Sequence, residues 1–111
     1  MYISFIIFTR LYNEAKDYED VDYYIAERGW QEWMENFDPD TIVKILNEIY
    51  GMAKEGVKKP QKQLGICRSE LAMRFQIPLR TLENWANEVT RPSEFVETML
   101  EYIIYLERNV K

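Results

Sequence analysis

The stretch SELAMRFQIPLRTLENWANEVTRP, from Ser69 to Pro92, decides the fold of the second half of the chain. Ser69 is a predicted N-cap residue, because its side chain can accept a hydrogen bond from the first turn of a helix. Pro78 disfavours helical backbone at the residue before it, so a turn is predicted at Gln76–Pro78 and a new helix from about Leu79. Two short helices joined by such a turn form a helix-turn-helix unit.

The apolar pattern of the stretch predicts an inner and an outer face for these helices. Small or apolar residues stand where the two helices touch and turn, and they are Ala72, Ile77, Leu82 and Trp85. The outer face of the second helix then carries Leu79, Arg80, Glu83, Asn84 and Asn87. A helix with an exposed polar face of this kind can lie in the major groove of DNA and contact bases with its first turns.

Residues 69–92 resemble the helix-turn-helix of the Cro and phage-repressor family, since the strings ELA, I, TLENW and RP stand at that family's spacing. The small variants from Gram-positive bacteria and their mobile elements are the most similar, and the resemblance covers about residues 68–106. The resemblance implies base contacts from four residues of the second helix, Leu79, Arg80, Glu83 and Asn84. It implies contacts with the DNA backbone near Ser69, Thr81 and Arg91.

The chain departs from the family pattern in three places, two of them within this stretch and one before it. Gln76 stands at a turn position usually held by Gly, so it must adopt a positive φ or reshape the turn. Glu88 stands where the family usually has another Gly, and Asn87 is expected to take the left-handed cap position instead. The connection of thirteen residues from Glu55 to Cys67 is longer than the few residues that are usual.

The charge of the chain is unevenly distributed. The 111 residues carry a net charge of −5, with a balance of −7 in residues 1–56 and +2 in residues 57–111. The predicted organisation is therefore an acidic, aromatic-rich helical region over 1–56, a basic loop over 57–67 and the helix-turn-helix region over 68–111. Lys58, Lys59 and Lys62 of the basic loop are predicted to contact DNA phosphates or to act only as solubilising charges.

Three helices are predicted in the acidic region. The first covers the apolar segment from Tyr2 to Tyr12, which is short enough to be a helix or a strand, and the helix formers after it favour a helix. The second starts at Asp22 and has one apolar stripe, formed by Tyr23, Ala26, Trp30, Trp33, Met34 and Phe37. The third has Asp38 as its N-cap and runs to about Lys54, with Ile42, Ile45, Leu46, Ile49 and Met52 facing inward.

Acidic and aromatic residues surround the start of the second predicted helix. A solvated loop is one interpretation of this cluster, and a surface for a basic protein partner is the other. The residues concerned are Asp17, Glu19, Asp20, Asp22, Tyr23 and Tyr24. Trp30 and Trp33 are expected in the core, although aromatic residues also anchor protein interfaces.

The last predicted helix follows Ser93 as its cap and buries Phe95, Val96, Met99, Leu100, Ile103 and Leu106. The apolar run from 102 to 106 is wider than one buried stripe needs. The extra face is expected to pack on the N-terminal region or on a second copy, and a homodimer is predicted because such repressors pair DNA half-sites by dimerising.

Composition excludes several classes of protein. The chain has no His and a single Cys, Cys67, so a thiol-rich or imidazole-rich metal site and an intramolecular disulfide are excluded, as expected in a reducing cytoplasm. No apolar run is long enough for a membrane span, and the first residues lack the features of a signal peptide. No spacing indicates a catalytic dyad or a phosphate-binding Gly motif, so neither an enzyme nor a cofactor is predicted.

The predicted function is sequence-specific binding of double-stranded DNA by a small all-α transcriptional regulator of a phage or mobile element. The alternative is an acidic inhibitor that binds a protein through the first half of the chain. Small phage proteins that block host nucleases, including anti-CRISPR proteins, are similar in size and charge, and some carry such a domain. The two functions are compatible, since an inhibitor can also repress its own promoter.

Overall fold

The chain is all-α, as predicted. A computed structural model describes residues 3–109, which form seven α-helices and one 3-10 helix and contain no strand. The chain divides into two compact units, with the boundary between Glu55 and Gly56. Tyr2, at which the first predicted helix starts, lies outside the described residues, as do the last two residues of the predicted helix-turn-helix region.

The first unit contains α1 (Phe5–Ala15), α2 (Val21–Arg28), the 3-10 helix (Glu32–Asn36) and α3 (Pro39–Glu55). Side-chain caps fix where the three α-helices begin, because each cap satisfies a backbone N–H that has no partner inside the helix. The Asp38 carboxylate accepts a hydrogen bond from the Thr41 N–H at 2.8 Å, which confirms the predicted cap of α3. This hydrogen bond holds the pKa of Asp38 below its usual value.

The core of the first unit forms where α1 and α2 pack on α3. The predicted inner face of α3 is confirmed at four positions, since Ile45, Leu46, Ile49 and Met52 are buried. Opposite them, the buried residues of α1 and α2 are Phe8, Leu11, Tyr12, Ala15 and Tyr24. Burial of these large apolar side chains is the main force that holds short helices together.

A buried arginine links α1 and α2. The Arg28 side chain is 7% exposed and forms an ion pair with Glu14. Its Nε donates to the Tyr24 carbonyl at 3.1 Å, and its guanidinium lies 4.8 Å from the centre of the Tyr24 ring. The Tyr18 ring lies on the same guanidinium at 5.6 Å. These contacts satisfy a charge that would be costly to bury alone.

The second predicted helix is wrong beyond Arg28. Gly29 adopts a φ of 59° and ends α2, and the chain resumes only as the short 3-10 helix. Because the helical period is interrupted, the predicted apolar stripe does not continue through it. Trp33 and Met34 are buried as expected, but Trp30 is 68% exposed and is not a core residue.

The second unit contains α4 (Gln61–Leu64), α5 (Arg68–Phe75), α6 (Leu79–Ala86) and α7 (Glu94–Asn109). The predicted loop over 57–67 is corrected, because it contains α4. Gly65 adopts the left-handed conformation and donates its N–H to the Lys62 carbonyl, so a single helical turn is closed within a segment that lacks helical periodicity. α4 packs against α7, and α5 packs against α6.

The buried face of α7 also differs from the prediction. Ser93 caps the helix as expected, with its Oγ accepting from the Val96 N–H at 3.3 Å. Leu100 is buried and Leu106 is half-buried, whereas the other positions of the predicted stripe, Phe95, Val96, Met99 and Ile103, are exposed. The buried side instead carries Glu97, Thr98, Glu101, Ile104 and Tyr105.

A polar contact lies on the buried side of α7. Gln63 of the α4 segment donates to Glu101 Oε1 at 2.9 Å, and the Glu101 side chain is fully buried. This bond satisfies one oxygen of the buried carboxylate. Glu101 shares the buried side with Leu100, Ile104 and Tyr105, and the exposed apolar stripe lies on the other side of the helix.

Candidate nucleic-acid interface

The α5–turn–α6 unit, residues 68–86, has the helix lengths and the turn predicted for it. α5 ends at Phe75, the turn is Gln76–Pro78, and α6 begins at Leu79. Gln76 has a φ of 57° and a ψ of 41°, so of the two predicted alternatives it adopts the positive φ. The Ile77 N–H and the Gln76 side chain donate to carbonyls of the last turn of α5, at 3.0 and 2.8 Å. These bonds hold the reversal of the chain without a Gly.

One face of α6 is buried and the opposite face is accessible. Leu82 and Trp85 are 1% and 8% exposed, so they fix the rotation of the helix about its axis. Leu79 is 42% exposed and Arg80 is exposed, while Glu83 and Asn84 are half-buried. The four residues predicted to contact bases therefore all retain accessible surface in the first two turns of α6.

Arg80 and Asn84 have no competing partner for their side chains. Within residues 3–109, neither side chain takes part in a hydrogen bond or an ion pair. They lie four residues apart on α6, which places them on the same side of the helix and about 6 Å apart along its axis. A guanidinium and a carboxamide are therefore presented together, one turn apart.

The three residues expected near the DNA backbone lie at different depths. Arg91 is exposed, Thr81 is half-buried, and Ser69 is exposed. The prediction that Ser69 caps α5 is wrong, because the helix begins one residue earlier, at Arg68, and Cys67 holds the cap position. The Ser69 hydroxyl instead lies 3.2 Å from the Cys67 Sγ, and this contact lowers the pKa of the thiol.

The basic cluster of Lys58, Lys59 and Lys62 is exposed throughout. Lys59 and Lys62 make no side-chain ion pair or hydrogen bond in the described part of the chain. Lys58 differs, because its Nζ lies 2.9 Å from a carboxylate oxygen of Glu88. Hydrogen bonding to Lys58 holds the pKa of the Glu88 carboxyl below its usual value.

The backbone after α6 reverses at Glu88 and not at Asn87. Asn87 has a φ of −93°, so the expected left-handed cap at that residue is wrong. Glu88 takes the position with a φ of 60°, and the Val89 N–H then donates to the Asn84 carbonyl at 2.8 Å. The left-handed residue is therefore at the position where the similar family usually has Gly, although the residue here is Glu.

The acidic cluster of the first unit is accessible except at one residue. Asp17, Glu19, Asp20, Asp22 and Tyr23 are exposed. Tyr24 is fully buried, and its hydroxyl donates to the Leu11 carbonyl at 2.9 Å, so its prediction as a partner-surface residue is wrong. Adjacent residues of a helix point about 100° apart, which is why only one of the two tyrosines faces outward. Burial raises the pKa of Tyr24.

Two accessible aromatic or apolar sets were predicted only in part. Trp30, which the apolar stripe assigned to the core, joins Tyr23 as an exposed aromatic of the first unit. Phe95, Val96, Met99 and Ile103 form an exposed apolar stripe along α7. The unbroken apolar run from 102 to 106 indicated an extra face of α7, but it did not identify which face would be buried.

No group of metal-ligating side chains occurs among residues 3–109, and no helix there is long and apolar enough to cross a bilayer. The chain matches no protein-family model, no curated protein and no solved structure.

Proposed function

We propose that the chain is a sequence-specific DNA-binding protein that acts as a transcriptional regulator of a bacterium or one of its mobile elements, in the cytoplasm. The observation that carries the proposal is the outer face of α6. Arg80 and Asn84 are accessible there without a competing side-chain partner, and the buried Leu82 and Trp85 fix their direction. This is the arrangement that a helix in the major groove requires.

The chemistry of the α6 face fits the edges of base pairs. A guanidinium such as that of Arg80 donates two hydrogen bonds to O6 and N7 of guanine, and a carboxamide such as that of Asn84 pairs with N6 and N7 of adenine. Glu83 accepts from the amino group of cytosine, and Leu79 contacts the methyl group of thymine. Each bidentate pair discriminates against the wrong base by about 1–3 kcal/mol.

Cations and hydroxyls beside the α5–turn–α6 unit supply the sequence-independent part of the binding. Arg91, Lys59 and Lys62 are exposed and carry charges that phosphates attract. Ser69 and Thr81 can donate hydroxyl hydrogen bonds to phosphate oxygens. The balance of +2 in residues 57–111 favours approach to DNA, in contrast to the −7 of residues 1–56.

Selection of duplexes from a random pool tests the proposal. The wild-type protein is expected to enrich one motif at low salt, and Lys59→Ala is expected to weaken binding to every sequence alike. Circular dichroism of Lys59→Ala serves as the control for folding. Absence of enrichment by the wild-type protein at low salt rejects the proposal.

A homodimer is part of the proposal, because regulators of this kind read two half-sites. The exposed residues Phe95, Met99 and Ile103 recur every four positions, so they form one continuous stripe on α7. A second copy that packs on this stripe removes it from water. Sedimentation velocity is expected to show a dimer for the wild-type chain and a monomer for Ile103→Asp, and equal sedimentation of the two rejects the α7 interface.

The second candidate is a protein-binding inhibitor of the phage counter-defence type. The exposed cluster of Asp17, Glu19, Asp20, Asp22 and Tyr23 favours it, together with the exposed Trp30. Acidic side chains attract a basic partner and exposed aromatic rings anchor it.

Charge reversal separates the two candidates. Asp20→Lys combined with Asp22→Lys is expected to abolish inhibition of a basic target and to leave DNA binding equal or stronger. Because Asp20 caps α2 by accepting from the Asp22 N–H at 3.0 Å, Asp22→Lys alone is the variant that preserves the cap. Unchanged inhibition in both variants rejects the acidic surface.

A further inference from the structure

Glu88 lies in a backbone conformation that disfavours a side chain. Its φ of 60° is in the left-handed region, which Gly enters without steric cost and which other residues rarely adopt. The residue closes the reversal after α6, where the Glu88 N–H donates to the Trp85 carbonyl at 3.2 Å. A charged residue in such a position indicates that its side chain has a role that offsets the strain.

The strained backbone directs the Glu88 carboxylate to one of the lysines of the basic cluster. The Lys58 Nζ lies 2.9 Å from Glu88 Oε2, and the two side chains are 49% and 73% exposed. An ion pair this exposed contributes little to stability, because water solvates both charges and the two long side chains must be ordered. Stability therefore does not explain why a carboxylate is held at this point.

The same carboxylate also acts on Arg91. Arg91 contributes to the lowered pKa of Glu88, after the larger effect of Lys58. Lys58 and Arg91 are two of the cations expected to contact the DNA backbone. Glu88 therefore lowers the positive charge in the part of the second unit that phosphates would approach, and its direct contact there is with Lys58.

We propose that Glu88 is a built-in competitor for DNA phosphate, whose carboxylate occupies the Lys58 ammonium until a phosphate displaces it. The inference rests on the proposed DNA-binding function. The competition acts on the backbone contact and not on a base contact, so it lowers the affinity for every sequence alike. Base preference, which depends on Arg80 and Asn84, is unaffected.

The size of the effect is limited by the ion pair that a phosphate has to break. An exposed pair of this kind is weak, and its loss corresponds to about two- to five-fold in affinity at most. Glu88→Gln leaves Lys58 free to contact a phosphate from the start. The variant is therefore expected to bind duplex DNA about two- to five-fold more tightly than the wild-type chain, with a similar salt dependence because Lys58 contacts phosphate in both proteins.

A double-mutant cycle on DNA affinity tests the inference. Fluorescence anisotropy with a short duplex of arbitrary sequence is measured from about 50 to 200 mM salt for the wild-type chain, Glu88→Gln, Lys58→Gln and the double variant. The gain from Glu88→Gln is expected in the wild-type background and is expected to vanish when Lys58 is already Gln. Glu94→Gln removes the same charge from the exposed start of α7 and is the matched control.

The outcomes separate this inference from the proposed function. Tighter binding by Glu88→Gln that depends on Lys58 supports the inference. If the wild-type chain binds and Glu88→Gln shows no gain, the inference is overturned and the proposed function stays intact. An equal gain in the Lys58→Gln background, or in Glu94→Gln, has the same meaning. Absence of wild-type binding even at the lowest salt overturns both, and circular dichroism of each variant excludes misfolding as the cause.

Discussion

Leu82→Ala and Leu79→Ala make the same chemical change on the same helix, and they are expected to have opposite consequences. Leu82 is 1% exposed and holds α6 in the second unit, whereas Leu79 is 42% exposed on the outer face. Leu82→Ala is expected to destabilise the second unit severely. Leu79→Ala is expected to leave the unit folded and to weaken DNA binding.

The magnitudes follow from burial. Replacing a fully buried Leu by Ala costs about 2.7–5 kcal/mol, because the lost transfer free energy is increased by the cavity that remains. A unit of this size has a free energy of unfolding of about 3–8 kcal/mol, so Leu82→Ala removes about a third of it or more. At Leu79 the partial burial limits the loss to about 1 kcal/mol, and the better helix propensity of Ala offsets part of it.

Urea unfolding followed by circular dichroism measures both variants, and anisotropy with a duplex measures their binding. Leu79→Ala is the control for the loss of the same methyl groups. Equal destabilisation by the two substitutions contradicts the reasoning, because it means that α6 does not present one buried and one accessible face. Greater destabilisation by Leu79→Ala contradicts it in the same way.

Three further predictions concern the contacts that hold each unit. Arg28→Met is expected to lower the free energy of unfolding by about 2 kcal/mol, since it removes the Glu14 ion pair and the hydrogen bond to Tyr24, and urea titration measures the loss. Gln76→Val is expected to cost about 1–2 kcal/mol, because a β-branched residue is strained at a φ of 57°, whereas Gln76→Gly should stay near the wild type in a thermal melt. Asp38→Ala should destabilise the chain at neutral pH, and the difference should shrink as the pH falls through the folded-state pKa of Asp38, which is lowered by the bond from Thr41. Stability curves for the last variant that stay parallel down to strongly acidic pH contradict the capping role.

Local signals predicted the turn between α5 and α6, the start of α6 and the start of α3. Pro78 set the start of α6, Asp38 capped α3, and Gln76 took the left-handed position that the turn required. Each of these features depends on a few neighbouring residues and on backbone sterics. Sequence patterns report such short-range constraints directly.

Features that depend on contacts between distant residues were not predicted. The apolar pattern of α7 fits two faces, and the face that is inside contains Glu101, which accepts a hydrogen bond from Gln63, 38 residues away in sequence. The sequence does not distinguish Tyr23 from Tyr24. Of these two tyrosines, only Tyr24 donates its hydroxyl to the Leu11 carbonyl. Trp30 is exposed because α2 ends before it, at Gly29. The sequence pattern predicted one continuous helix, so this break was not predicted.

The same distinction applies to the candidate interface. The accessible positions of Leu79, Arg80, Glu83 and Asn84 follow from the helical period once Leu82 and Trp85 are buried, so the sequence predicted them. The pairing of Lys58 with Glu88 joins residues 30 positions apart and was invisible to the sequence pattern. Glu88 lies in the turn that follows α6, and from there its carboxylate contacts Lys58.

Base preference of the Arg80→Ala variant is the most direct test that α6 reads DNA. Sequencing of duplexes selected from a random pool is carried out with the wild-type chain and with this variant at one salt concentration. The account predicts a defined motif for the wild type in which one guanine position becomes degenerate in Arg80→Ala, with the rest of the motif retained. An identical motif for both proteins, or the absence of a motif for the wild type, contradicts it.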